Sequence, residues 1–239
     1  MNKIIENEGM DNVVSKEFNI AIDGPASSGK STIAKILADA YQLVYIDTGA
    51  MYRSLTYLAL QNNIDLDNEA ALMTLLEQAE IVLQRNGEGQ SVLVNGEDVT
   101  EAIRQNDVTN NVSEVASYAT VREELVRRQQ DMARHTGVAM DGRDIGTVVL
   151  PKAEVKIFLV ASVEERAERR YLENKQKGIS SDYEQLKQEI IARDEYDSNR
   201  EVSPLKQADD AIKIDTTGLS IDEVVEACKE IIVSKVKVD

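Results

Sequence analysis

The spacing of apolar positions changes several times along the chain, and each change marks an element. Phe18, Ile20 and Ile22 alternate within Phe18–Asp23, and Gly24-Pro25 follows, which predicts a strand running into a turn. From Lys30 the period lengthens: Ile33, Ile36, Leu37 and Ala40 fall on one face of a helix. Leu43–Ile46 is a short apolar run stopped by Asp47-Thr48-Gly49, and Ala50–Gln61 reads as a helix closed by Asn62-Asn63. Ile81–Gln84 and Ser91–Val94 are strand-like around Asn86-Gly87-Glu88-Gly89. Asn95-Gly96 adds a second turn signal, so Ile81–Thr100 reads as a small antiparallel insert. Val108–Arg134 returns to helical texture, and Val138–Met140 is a short strand entering Asp141-Gly142-Arg143-Asp144. Val155–Val160 is continuously apolar, as a strand buried on both faces must be. Charged helices follow at Val163–Lys177 and Tyr183–Asp194, then a last strand at Ala211–Asp215 and a last helix at Ile221–Val233.

Strands near positions 20, 45, 139, 157 and 213 alternate with helices, which predicts an α/β fold: a five-stranded parallel sheet with helices on both faces. Right-handed crossovers place the carboxyl ends of such strands on one rim, where open α/β sheets bind ligands. Asp23-Gly24, Asp47-Thr48 and Asp141–Asp144 all follow strand ends and are expected to converge there.

Composition narrows the partners. The 239 residues hold 27 basic and 43 acidic side chains, a formal charge of −16, with 42% hydrophobic residues. That charge argues against a nucleic-acid polymer or an anionic membrane as partner, while leaving room for a small anion held by a local arginine cluster. Cys228 is alone, so no intrachain disulfide forms, and one Cys with one distant His makes no ordinary zinc site. The longest stretch without charge, Ser54–Ile64, has 11 residues, too few for a membrane span. Met1–Glu17 carries mixed charge and no apolar signal segment, so it reads as a flexible lead-in to a cytoplasmic protein. His135 reads as a surface or loop residue, and the Asn111-Val112-Ser113 sequon as a chance match.

Gly24-Pro25-Ala26-Ser27-Ser28-Gly29-Lys30-Ser31 fits G-x-x-x-x-G-K-[ST] between a predicted strand and a predicted helix. Such a loop turns backbone N–H groups around phosphate oxygens at a helix N-terminus; its Lys reaches the β- and γ-phosphates and its Ser hydroxyl meets Mg²⁺. The ligand expected is therefore a nucleoside triphosphate with Mg²⁺, the loop itself leaving the donor base open. No Asn-Lys-x-Asp guanine reader occurs.

Ten of the 13 arginines lie in Arg122–Arg200, where 15 basic and 16 acidic residues nearly cancel; the rest of the chain carries −15. Arginine forks onto phosphate oxygens. Arg166, Arg169 and Arg170 are packed into one helical stretch. Arg193, Asp197 and Arg200 recur at steps of four and three, so one helical face would present Arg, Asp and Arg. A surface salt-bridge ladder has the same spacing. Asp144 beside Arg143 is placed to accept from the exocyclic amine of a base. Asp141 or Asp144 is equally placed to hold magnesium through water, and spacing alone does not separate the two.

These residues carry a resemblance. Gly24–Thr32, Asp47-Thr48-Gly49-Ala50-Met51-Tyr52-Arg53, Asp141-Gly142-Arg143-Asp144-Ile145-Gly146-Thr147, and Arg193-Asp194 to Arg200 together resemble cytidylate kinases of the bacterial type, over Phe18 to Lys235. The resemblance implies a P-loop nucleoside monophosphate kinase that moves the γ-phosphoryl of ATP to CMP or dCMP in pyrimidine metabolism, as a monomer. It implies a single domain over 18–235, with a core, a monophosphate-binding insert over about 63–134 and a helical lid over about 163–180. By position, Lys30, Arg143, Arg166 and Arg170 are implied as catalytic groups. Gly24 to Ser31, Thr32, Arg166 and Arg169 are implied for ATP, and Ser31 for the metal, with Asp141 through water. Arg53, Arg143 and Arg193 look like monophosphate clamps. Thr48, Arg122, Asp144 and Arg200 look like cytosine readers, Ser113 and Asp197 look like pentose contacts, and Tyr52 is expected to pack under the nucleotide. The family often has Ser where Thr48 stands and Gly where Ser31 stands; Thr48 keeps the hydroxyl and Ser31 adds one. Another P-loop kinase of the UMP/CMP, thymidylate or shikimate type, or a non-catalytic nucleotide-binding module, would share the phosphate loop but would have less reason to hold this arginine and carboxylate set.

Overall fold

The computed structural model describes residues 18–86 and 89–236. The lead-in expected over Met1–Glu17 lies outside them, as do Gly87 and Glu88 of the first turn signal. The expected strands form one parallel sheet, β1 (Ile20–Asp23), β2 (Val44–Asp47), β6 (Val138–Gly142), β7 (Val155–Val160) and β8 (Ile212–Asp215), in the order β2-β6-β1-β7-β8. β1 lies in the middle. Its own crossover leads to β2 on one side, and the chain leaving β6 returns to β7 on the other. This reversal opens a crevice beside the carboxyl ends of β1 and β6, the position at which such sheets bind ligands.

The alternation in β1 sorts the core. Ile20 and Ile22 face the layer of α1 (Lys30–Ala40) and α8 (Ile221–Lys235) with Leu37, Val225 and Cys228, whereas Ala21 faces the other layer with Met51, Leu55 and Leu125. Both layers are fully buried. The second antiparallel sheet runs β3 (Ile81–Asn86), β4 (Gly89–Val94), β5 (Glu97–Asp98). Asn95 and Gly96 both take positive φ between β4 and β5, as a two-residue hairpin turn demands.

Four features differ from the sequence pattern. The helix expected from Ala50 begins at Thr48, so α2 (Thr48–Gln61) has Asp47 as N-cap, its carboxylate accepting from the Ala50 amide at 3.0 Å. The single helical stretch expected over Val108–Arg134 is two helices, α4 (Asn106–Val115) and α5 (Ala119–Met132), separated by extended Tyr118. Arg122 on α5 donates to the Ala116 carbonyl at 2.9 Å, meeting an open acceptor at the end of α4. Between α2 and β3 lies a helix the periodicity did not announce, α3 (Glu69–Gln78), capped by Asn68. The late helices are α6 (Val163–Gln176) and α7 (Tyr183–Asn199); α7 runs five residues beyond the expected end and so carries Asp197.

Candidate active site

The phosphate loop joins β1 to α1. Gly24 has φ of +149°, and a Cβ there would sit 2.0 Å from the Leu159 carbonyl oxygen, so the loop leaves the sheet along a path only glycine can take. Gly29 is left-handed at the start of α1. Lys30 is buried and donates to the Pro25 carbonyl at 2.7 Å, curling back over its own loop. Burial and then the nearby Arg143 charge push the Lys30 ammonium down to about 7, against the pull of Asp141. An anionic phosphate between Lys30 and Arg143 would reverse that pressure.

Asp141, at the end of β6, and Asp144 take different partners. Asp141 accepts from the Ser31 hydroxyl at 2.7 Å and from the Tyr45 hydroxyl at 2.9 Å. Burial, with Asp47 nearby, raises its carboxyl. A hydroxyl and a carboxylate facing each other at the foot of the phosphate loop are hard oxygen donors of the kind magnesium accepts alongside phosphate and water. Among the described residues no group of three or more His, Cys, Asp or Glu side chains stands ready for a metal. Asp144 instead lies deep beside Arg122, with which it forms a buried ion pair. The Arg122 guanidinium stacks 5.1 Å from the centre of the Tyr52 ring. Burial pushes the Tyr52 hydroxyl up to about 12, and it has no well-placed partner among the described residues. Thr48 donates to the Asp141 carbonyl at 2.7 Å, which leaves its lone pairs facing the cleft. Arg200 follows the last turn of α7 as an extended residue and turns its guanidinium onto the Ser203 carbonyl. It therefore does not continue the helical face of Arg193 and Asp197.

Between these two ends four guanidiniums converge. Arg53 pairs with Asp47 at 2.7 Å, and Arg143 donates to Asp197 at 2.9 Å. Arg193 stands 4.0 Å from Asp197, beyond hydrogen-bond range. Burial, then Arg143, then Arg53 and Arg170 drive Arg193 down to about 10, and Asp197 opposes them. The Nε atoms of Arg53 and Arg193 are buried without a partner among the described residues. Buried donors and mutually repelling cations are costly unless an anion completes them.

All ten residues expected at the acceptor line one cleft of about 1310 Å³: Thr48, Tyr52, Arg53, Ser113, Arg122, Arg143, Asp144, Arg193, Asp197 and Arg200. The loop residues Ala26, Ser27, Ser28, Gly29, Lys30, Ser31 and Thr32 line its other end, whereas Gly24 and Pro25 lie beneath. Ser113 approaches Asp197 at 3.4 Å. The three arginines of α6 separate. Arg169 is bound to Thr216 and Arg170 stands 3.8 Å from Glu173, and both line the cleft. Arg166 does not: it is buried in a two-bond pair with Asp194 of α7 and also donates to the Ala26 carbonyl. Two contributors carried no sequence signal. Arg104, on a 3₁₀ turn (Ala102–Arg104), reaches Asp47 at 3.4 Å. Gln90 of β4 bonds both the Asp47 amide and the Tyr45 carbonyl, docking the hairpin on the edge of β2.

A phosphate loop alone suits many nucleotide hydrolases. Faced across a cleft by guanidiniums awaiting a second anion, it defines a P-loop kinase, with phosphate held on both sides. The chain belongs to the cytidylate kinase family, whose sequence model matches residues 20–234. It is 62% identical over 224 residues to the cytidylate kinase of Anoxybacillus flavithermus, covering 94% of this chain and 100% of that one. It is 63% identical over 219 residues to that of Enterococcus faecalis, covering 92% and 97%. Among solved structures, an uncharacterised protein of Eubacterium ventriosum superposes with a TM-score of 0.52 at 12% identity over 91% of this chain and 99% of that one, a likeness of fold alone.

Proposed function

We propose that this kinase transfers the γ-phosphoryl of ATP to CMP or dCMP, giving CDP or dCDP and ADP. What supports it most is one observation: Arg53, Arg143 and Arg193 line the same cleft as the phosphate loop, and the buried Nε–H groups of Arg53 and Arg193 have no acceptor among the described residues. In this reading they hold the acceptor phosphate, while Thr48, Arg122, Asp144 and Arg200 read cytosine and Ser113 with Asp197 meets the pentose. An ionised Asp144 accepts from an amine and repels a carbonyl, so it favours cytosine over uracil. Residues 63–134 act as the acceptor-binding insert and about 163–180 as the lid, within one domain over 18–235.

The acceptor oxygen is already ionised, so no general base is needed; His135, exposed and remote from the cleft, fits that. Lys30 and the arginines hold donor and acceptor in line and spread the transferring charge. Magnesium at Ser31, with Asp141 through water, would neutralise charge on the donor's β- and γ-phosphates. Arg166, tied to Asp194 and to the loop carbonyl of Ala26, would fix α6 so that Arg169 and Arg170 point at the donor. Relatives at about 60% identity favour this activity over the other kinases and over a non-catalytic module. A panel of CMP, dCMP, UMP, AMP and shikimate with ATP and Mg²⁺ tests it. CMP or dCMP should lead in kcat/KM by about tenfold or more, equivalent to ~1.4 kcal/mol. A lead by any other acceptor overturns the assignment.

A further inference from the structure

Asp23 is a buried carboxylate that the reaction as described does not use. It ends β1, immediately before the first glycine of the phosphate loop, and is 4% exposed. Its two oxygens accept from two successive backbone amides on another segment: Oδ1 from Ile145 and Oδ2 from Gly146, each at 2.7 Å. Those amides directly follow Arg143-Asp144. They are free because the chain there makes one wide π-helical turn (Ile145–Val149), in which the Asp144 carbonyl accepts from Val148 and Val149 further along. The opening amides of any helical turn lack partners within the turn, and here a side chain from the neighbouring strand supplies them.

The same contact explains the glycine of the Asp-Gly-Arg-Asp-x-Gly run. A Cβ on Gly146 would lie 3.3 Å from Asp23 Oδ2 and 3.2 Å from Lys156 Cδ, so a side chain would crowd the carboxylate by a few tenths of an ångström. Asp144 is anchored on one side by Arg122, which α5 supplies, and on the other by its own backbone, which Asp23 holds.

We propose that Asp23 is a positioning residue for acceptor recognition: by gripping the amides of Ile145 and Gly146 it sets the height of the Asp144 carboxylate beneath the base. Burial raises the Asp23 carboxyl to about 6, while the two amides and Lys30 pull it down and Asp144 pushes it up.

The inference rests on the reading of the cleft as a CMP site, and the experiment separates the two. If the wild-type protein does not phosphorylate CMP, that reading fails, and the inference with it. If it does, Asp23→Asn is the probe, since it keeps one acceptor oxygen and sets an amide N–H against the second backbone amide. KM for CMP should rise about tenfold to a hundredfold, the scale of one hydrogen bond to a charged group. KM for ATP should stay within about twofold, because the phosphate loop keeps its own glycines and helix. In an Asp144→Ala background the added effect of Asp23→Asn on CMP affinity should shrink to about twofold, because the residue it positions is gone. Gly146→Ala, which crowds the same contact from the other side, should reproduce the selective rise. Equal losses for CMP and ATP, full additivity with Asp144→Ala, or a lowered melting temperature with unchanged KM for CMP would each overturn the proposal.

Discussion

Asp141 and Asp144 stand three residues apart and face opposite ends of the cleft, because β6 ends between them and the chain turns. Asp141 meets Ser31 and Asp144 meets Arg122, and the proposed function gives each of them one of the two roles that the sequence left open. Asp144→Ala should therefore act on the acceptor. It strands the buried Arg122, a loss of about 2–5 kcal/mol, or roughly 30-fold to several-thousand-fold in kcat/KM for CMP. Lys30→Ala should abolish turnover with every acceptor, since it touches the donor phosphates. Equal losses across acceptors for both variants would return Asp144 to the metal side. Residue types and their neighbours along the chain made Lys30, Arg143 and Asp144 legible. Asp47 reads in the sequence as a strand end at the ligand rim and as part of a family motif, without a role of its own. Its three jobs, capping α2 and pairing Arg53 and Arg104, depend on a helix that starts at the very next residue, on an arginine within that helix and on an arginine 57 positions later. Burial pushes its carboxyl up, but the Arg53 and Arg104 charges outweigh that and leave it below the usual range, a balance no local pattern reveals.

At the scale of elements, period and turn residues announced the five parallel strands, the hairpin and most helices, since each buries one face or two against the sheet. α3 was not announced. Its apolar residues Leu72 and Leu76 are fully buried, but its C-terminal carbonyls are met from α5, by a residue 52 positions away. There Arg128 donates to the carbonyls of Leu76 at 2.9 Å and Ala79 at 3.0 Å, and Glu124 holds its Nε at 2.6 Å. Read along α5, Arg127 and Arg128 look like equivalent surface charges; Arg127 is exposed and Arg128 buried. Arg128→Ala should cost about 1–3 kcal/mol, because it leaves the Ala79 carbonyl open while Leu76 keeps the Ala79 amide, whereas Arg127→Ala should stay within about 0.5 kcal/mol. Denaturant titration of the two variants checks this, with KM for ATP as the control that the phosphate loop is untouched. The same blindness hid the partner of Arg166. Spacing placed it with Arg169 and Arg170, but a helix has several faces, and Asp194 of the adjacent helix decides which one Arg166 takes.

For the whole molecule, a net charge of −16 coexists with a cleft that repels itself through positive charge. The acidic excess lies outside Arg122–Arg200, while Arg193, its side chain 31% exposed but its Nε buried, feels the charges of Arg143, Arg53 and Arg170 with Asp197 opposing them. The free protein is therefore held below its attainable stability by its own binding site, and an anion of the right shape should relieve that cost. Ligand that binds only the folded state adds stability by mass action, about 2.7 kcal/mol at a hundred times Kd, or several degrees in melting temperature for a chain of this length. CMP and cytidine share the base and pentose contacts and differ by the phosphate that Arg53, Arg143 and Arg193 would hold. CMP should raise the melting temperature clearly at millimolar concentration, and cytidine at the same concentration should give a small fraction of that shift. The CMP shift should shrink in Arg193→Ala, because an unpartnered cation has been removed along with one clamp. If cytidine matches CMP, the base governs affinity and the arginines are a structural ladder. If neither moves the transition, the cleft is not where the acceptor binds.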